Sequence, residues 1–316
     1  MIDLKFVALA GGVGGAKLAD GLAQVLQPDQ LTIIVNTADD FTHLGLRISP
    51  DLDTVCYTLA GLANPETGWG RVNETWNVLT FLKQLGMPDW FNLGDSDLAT
   101  HLTRSYLFAN GWTLSDITQD FCRKWGIRVR ILPMSDDMIQ TRVFTDEGEL
   151  EFQEYFVHRE CRPIVNGFKF AGLENSTPAP GVVEAIESAK AVIICPSNPW
   201  VSIDPILSVP KIRMAIEGRL TIAVSPIIGN HTIKGPAAKM FSELGIKPSV
   251  VAVAQHYGNL VDCLVIDNSD DSLTEKINTL GIRAYPTDIL MDDQFNRERL
   301  GREIIDHILG WENVQL

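Results

Sequence analysis

An α/β fold with a doubly wound, mainly parallel sheet and an inserted helical lobe is predicted by three features of the 316-residue chain. Short, wholly apolar runs alternate with stretches of helical periodicity, the pattern of strands buried on both faces. The first of these runs leads through a glycine cluster into a helix. Residues 54–125 then carry helical patterns without a strand, so they read as a lobe inserted after the second strand. The predicted division is 1–54 and 126–316 for the α/β domain and 55–125 for the lobe.

Residues 4–18 read as a buried strand (Leu4 to Ala10), a glycine turn (Gly11, Gly12, Gly14, Gly15, with Val13 between) and the first turn of a helix. Four glycines without Cβ atoms let a phosphate approach the backbone, and the N–H groups and positive dipole end of the helix face it. Lys17 adds a charge in that first turn. The loop fits no common phosphate motif. Ala16-Lys17-Leu18 lacks the glycine and the magnesium-binding hydroxyl of a Gly-Lys-Ser/Thr loop. A dinucleotide fingerprint from Gly12-x-Gly14 calls for Gly or Ala at 17 and an acid where Asn36 stands. The remaining alternative is a strand-to-helix turn without ligand.

The chain carries 26 Lys+Arg against 40 Asp+Glu, a net charge of −14. Such a surface repels nucleic acid and anionic membrane, so any phosphate is held by local geometry. Five cysteines (Cys56, Cys122, Cys161, Cys195, Cys263), odd in number and without a CxxC, indicate neither a disulfide framework nor a zinc site. No basic leader precedes a long apolar core, and no run reaches the 18 or so apolar residues of a membrane span. A soluble, cytoplasmic protein is the expectation.

In chain order, Lys17 to Leu26 is apolar at helical spacing and stops at Pro28, and Leu31 to Val35 is a second buried strand. A right-handed βαβ unit results, and Asn36 lies at the strand end where such sheets bind ligands. Behind it come Asp39, Asp40, Asp51 and Asp53. Ser49-Pro50 reads as an N-cap and first helical residue, so Asp51 and Asp53 fall in a first turn. Capping accounts for one or two acids there but not for Asp39 and Asp40. Carboxylates beside a phosphate site suit a hard cation such as Mg²⁺, with Asp39, Asp51 and Asp53 as the metal candidates. The alternative is a solvated acidic loop.

Helices are expected over 54–62, 74–85, 97–109 and 115–125. Trp69, Trp76, Trp90 and Phe91 either stack on a flat ligand or form the lobe's core. His101 and Arg104, three apart on one helix face, can meet an anion. Strands follow at 127–132, 191–195, 220–224, 250–254 and 263–266, with a hairpin at 141–144 and 150–153. An irregular connection is expected over 158–181, and helices over 182–188, 272–280 and 296–309. Pro196-Ser197-Asn198-Pro199 and Ser225-Pro226-Ile227-Ile228-Gly229-Asn230 are polar turns at strand ends, and Lys234-Gly235-Pro236 opens another helix. Such turns suit a nucleobase or ribose, or are turn chemistry alone.

Together the glycine loop, Asn36-Thr37-Ala38-Asp39-Asp40, Ile48-Ser49-Pro50-Asp51-Leu52-Asp53-Thr54, Leu93-Gly94-Asp95-x-Asp97-x-Ala99-Thr100-His101, Pro133-Met134-Ser135-Asp136-Asp137, Pro196-Ser197-Asn198-Pro199 and Ser225-Pro226-Ile227-Ile228-Gly229 resemble the 2-phospho-L-lactate transferase family of coenzyme F420 biosynthesis. The resemblance implies a Rossmann-like sheet with a helical lobe. It also implies transfer of a phospholactyl-type group from a guanosine diphosphate donor to the ribityl hydroxyl of the deazaflavin Fo, with Mg²⁺ and release of GMP. The glycine loop is closer to bacterial members, which brings in an enolpyruvyl donor and dehydro-F420-0 as product. By similarity, Asp53 and Asn92 contact Fo; Asp95 and His101 are further candidates for that side, and Asp53 and Asp39 are the expected catalytic residues. Gly11, Gly12, Val13, Gly14, Gly15, Lys17, Asn36, Ser197, Asn198 and Gly229 then hold the donor. A second reading is a nucleotide-sugar-binding regulator of the same superfamily, and a GTP-dependent nucleotidyltransferase is a third. A homodimer is expected only from the general prevalence of twofold symmetry.

Overall fold

In the computed structural model, which describes residues 4–232 and 235–311, seven parallel strands form one sheet. They are β1 (Phe6–Ala10), β2 (Leu31–Val35), β3 (Arg130–Pro133), β4 (Ala191–Ile194), β5 (Leu220–Val224), β6 (Cys263–Asp267) and β7 (Arg283–Thr287). Their spatial order is β3-β2-β1-β4-β5-β6-β7. On β1, Phe6 pairs with Leu31 on one side and with Ala191 on the other. The chain therefore turns from one half of the sheet to the other between β1 and β4, and a crevice opens at such a switch point.

Both faces of the sheet are buried, which is why its strands are apolar without alternation. Val7, Leu9, Ile34, Val192, Ile194 and Leu264 face one layer. Phe6, Ala8, Ile33, Ile193, Ile222 and Val265 face the other. The second layer is closed by α1 (Gly12–Val25), α2 (Pro50–Leu59) and the C-terminal helix Gln294–Gly310. Here α1 and the C-terminal helix meet backbone to backbone. A Cβ on Gly21 would lie 2.1 Å from the Arg297 carbonyl oxygen, and one on Gly301 would lie 2.8 Å from the Gly21 carbonyl carbon.

Residues 55–125 contain the rest of α2 and three further helices: α3 (Asn77–Gln84), α4 (Asp95–Ala109) and α5 (Leu114–Lys124). Leu52, Val55 and Cys56 of α2, and Leu114 and Cys122 of α5, join the apolar layer under the sheet. The stretch before α4 instead packs Trp90, Phe91 and Leu93 against a small hairpin, Phe41–His43 with Leu46–Ile48. That hairpin was not anticipated.

Four other expectations are corrected. Val250–Tyr257 is a helix and not a strand, because Ser249 caps it by accepting from the Ala252 N–H, and Val253, Ala254 and Tyr257 bury one face. The connection over 158–181 contains a strand, Val165–Ala171, antiparallel to Gln140–Thr145. The helix expected over 272–280 is a 3₁₀ segment, Asn268–Leu273, followed by the short helix Thr274–Asn278. And β7 extends the sheet beyond the strands anticipated, its Pro286 tolerated on an edge strand. Lys234 lies outside the described residues.

Candidate active site

The C-terminal end of β1 runs into Gly11, and α1 begins at once with Gly12, so Gly14 and Gly15 belong to the helix and not to a turn before it. Close packing requires them. A Cβ on Gly14 would sit 2.4 Å from the Pro196 carbonyl oxygen, and one on Gly15 would sit 2.5 Å from Ser197 Oγ. Gly12 has φ +62, a left-handed conformation that suits glycine. The loop after β4 thus seats directly on the helix start.

Two of the expected cradle amides are already taken. The Gly11 N–H donates to Ser197 Oγ at 3.1 Å, and the Gly12 N–H donates to Asp51 Oδ1 at 2.7 Å. The open end of α1 at Val13 and Gly14 lines the cavities instead. Helix N-termini leave their first amides without intrahelical acceptors, so this end remains suited to an anion.

Asn36 ties the acidic loop together. Its Nδ2 lies 3.1 Å from Asp39 Oδ1, 2.9 Å from Asp51 Oδ2 and 3.2 Å from the Val201 carbonyl oxygen. Gln153 donates to Asp39 Oδ2 at 3.2 Å. Both carboxylates are buried. Burial pushes Asp51 up to about 6, and burial, with the charges of Asp51 and Asp40, pushes Asp39 well above the ordinary range. Burial also raises Asp40, to about 8. Ser49 precedes α2 as expected but makes no cap bond, its hydroxyl donating to Asp40 Oδ2 at 2.7 Å.

Asp53 faces other company. Arg104 of α4 grips both its oxygens, with Nη1 3.0 Å from Oδ2 and Nη2 on Oδ1. The anion that Arg104 meets is therefore this internal carboxylate. His101 Nδ1 stands 3.1 Å from Arg104 Nη1, and Tyr57 donates to Asp97 Oδ1 at 2.6 Å. No group of three or more His, Cys, Asp or Glu side chains converges as a metal centre among the described residues. The adjacent pair Asp39 and Asp51, raised by burial and facing a cavity, still fits a cation completed by ligand oxygens.

Several of these groups line a cavity of about 570 Å³. Gly11, Gly12, Val13, Gly14, Asp39, Asp51, Ser197 and Asn198 lie along it, and so do Asp53, Asn92, Asp97 and His101. Two aromatic pairs also border it: Trp69 and Phe91 from residues 55–125, and Phe152 and Phe156, which stack with centroids 5.4 Å apart. Trp90 braces this side, stacking on His158 at 5.1 Å and meeting Phe91 edge-on, whereas Trp76 is outside. A smaller cavity of about 100 Å³ shares Val13, Gly14, Pro196 and Asn198 and is bounded by Lys17, Thr232 and Met291.

A family model described as "2-phospho-L-lactate transferase CofD" matches residues 6–308. The chain belongs to the CofD family. It is 41% identical to a phosphoenolpyruvate transferase of Streptomyces griseus over 96% of this chain and 98% of the relative. It is 37% identical to a 2-phospho-L-lactate transferase of Methanosarcina mazei over 95% of this chain and 99% of the relative. A crystal structure of a UPF0052 family member from Bacillus halodurans superposes with TM-score 0.63 at 16% identity, covering 96% of this chain and 99% of that one. That likeness concerns the fold alone.

Within this CofD-family fold, several expected donor and acceptor residues stand apart from the large cavity. Asn36 and Gly15 lie behind its wall, and Lys17 borders only the smaller cavity. Gly229 sits in a hairpin turn and donates to Asp270 Oδ2 at 2.8 Å. Asp95 binds Thr75 and Asn77 and caps the start of α3, which occupies its carboxylate. Sequence reasoning missed Tyr57, Asp97, Phe152, Gln153 and Phe156 as lining groups. Asp97 carried a readable signal, four residues before His101 on one helical face. The others carried none.

Proposed function

We propose that this chain transfers a phosphate-linked three-carbon acid, phospholactyl or phosphoenolpyruvyl, from a guanosine diphosphate donor to the ribityl hydroxyl of Fo, releasing GMP. One observation carries the reading: an open helix end and a buried carboxylate pair share one cavity with aromatic side chains and an Asp–His pair. The names of the relatives agree, since they include transferases of both acids. A cavity of this size and mixed lining is typical of small-molecule sites.

In this reading the open end of α1 holds the diphosphate, and Asp39 and Asp51 hold Mg²⁺. When bound, Mg²⁺ supplies charge neutralisation across the donor phosphates. Asp53, already held by Arg104, accepts a hydrogen bond from the attacking hydroxyl, and Trp69, Phe91, Phe152 and Phe156 enclose the deazaflavin ring. The hydroxyl displaces GMP in line at the phosphorus that bears the acid.

The test is incubation of the purified protein with Mg²⁺, Fo and each of the two donors, following GMP release and product mass. Product from one donor establishes the transfer and identifies the acid. Folded protein that yields no product, and whose tryptophan emission is quenched by nucleotide sugars but not by Fo, would reverse the reading in favour of a regulator.

A further inference from the structure

Behind the wall that carries Asp53 and His101 lies a side chain that does not reach the cavity. Arg104 is 1% exposed, and its guanidinium carbon sits 5.7 Å from the centre of the Phe121 ring. The guanidinium holds both oxygens of Asp53 and places Nη1 3.1 Å from His101 Nδ1. A guanidinium has donors and no acceptor, so at that distance Nδ1 must be the accepting nitrogen of the ring. The ring proton then resides on Nε2. That atom is buried and lies 3.4 Å from Asp97 Oδ2, the carboxylate it faces.

We propose that Arg104 is a positioning residue that sets the hydrogen-bond polarity of the acceptor wall, fixing Asp53 as an acceptor and His101 as the Nε2–H tautomer directed at Asp97. The inference rests on the reading of this cavity as the transfer site. A ligand hydroxyl at this wall therefore meets an acceptor at Asp53, while the His101 proton is turned toward Asp97. It also assigns the acids: the residue gripped by the guanidinium serves the hydroxyl, and the ungripped pair Asp39 and Asp51 serves the cation.

Nuclear magnetic resonance of protein labelled with ¹⁵N-histidine, with His101 assigned through His101→Gln, reads the tautomer without turnover. Native protein is expected to show a bare Nδ1 and a protonated Nε2, and Arg104→Met to lose that preference. A protonated Nδ1 in the native protein would overturn the proposal. Kinetics supplies the second arm. Arg104→Met is expected to lower kcat about 100-fold with the donor KM unchanged, and to add little in an Asp53→Asn background, as for groups that act as a unit. An equal loss in both backgrounds would also overturn it. Should Arg104→Met fail to fold, Arg104→Lys, which keeps the charge but loses the fork, is expected to show the same pattern more weakly. If native protein shows no transfer at all, the function above fails while the tautomer measurement still decides this inference.

Discussion

Burial alone would raise the Asp97 carboxyl, but His101 and the Tyr57 hydroxyl hold it below the usual carboxylate range. In the unfolded chain the group returns to about 3.9. The unfolded state therefore binds the additional proton first as the solution is acidified. The stability Asp97 confers is complete above about pH 4 and is lost as pH falls through the lower native value. Asp97→Asn is expected to flatten the acid limb of thermal stability, and an unaltered limb would count against the network. A second residue-scale prediction concerns Gly14. Its Cβ would press on the Pro196 carbonyl, so Gly14→Ala is expected to weaken donor binding at least about tenfold by calorimetry, overpacking being costly at a fixed backbone contact. At this scale the acids were legible in the sequence, because Pro50 places Asp51 and Asp53 in a first helical turn. Which acid serves which partner was not, since Arg104 lies 51 positions from Asp53 and no local pattern links them.

Elements with a clear period or a length beyond one turn were legible: β1, β2, β4, β5 and the helices α4 and α5 lie where apolar spacing puts them. The failures share a physical cause. Val250-Val251-Ala252-Val253-Ala254 is too short and too uniformly apolar for its period to separate helix from strand, and its cap alone decides. The strand Val165–Ala171 carries Asn166 and Gly167, and β7 carries Pro286, so each resembles a loop in isolation and is a strand only through its neighbour. Gly21 and Gly301 belong to this scale as well. Gly301→Ala is expected to cost about 1–3 kcal/mol in urea unfolding, by separating α1 from the C-terminal helix, while the transfer rate of the folded fraction is unchanged. A loss of rate without loss of stability would contradict that division of labour.

For the whole molecule, composition foretold a large doubly buried sheet, and the sheet order puts the cavity at the switch between β1 and β4. What no single stretch showed is that the site is shared among distant parts: α1, the acidic loop, α4, the segment after Gly148–Glu151 and the turn after β4 all line one cavity. On the proposed reading, a cation held by Asp39 and Asp51 would stabilise the whole molecule, because both belong to that junction. At 100 times its Kd, Mg²⁺ is expected to add about 2.7 kcal/mol to the unfolding free energy. The gain should vanish in the double variant Asp39→Asn with Asp51→Asn; a gain that persists would place the cation elsewhere.

The Gly11–Ser197 contact spans 186 positions, and β1 lies between a strand made almost at once and one made far later. During synthesis at about 5–20 residues per second, β1 waits roughly eight to thirty seconds with one edge unpaired after β2 has joined the other. An apolar edge exposed for that time is a template for pairing with other chains. A nascent chain is thus most vulnerable to aggregation, and most dependent on chaperones, before β4 emerges from the ribosome.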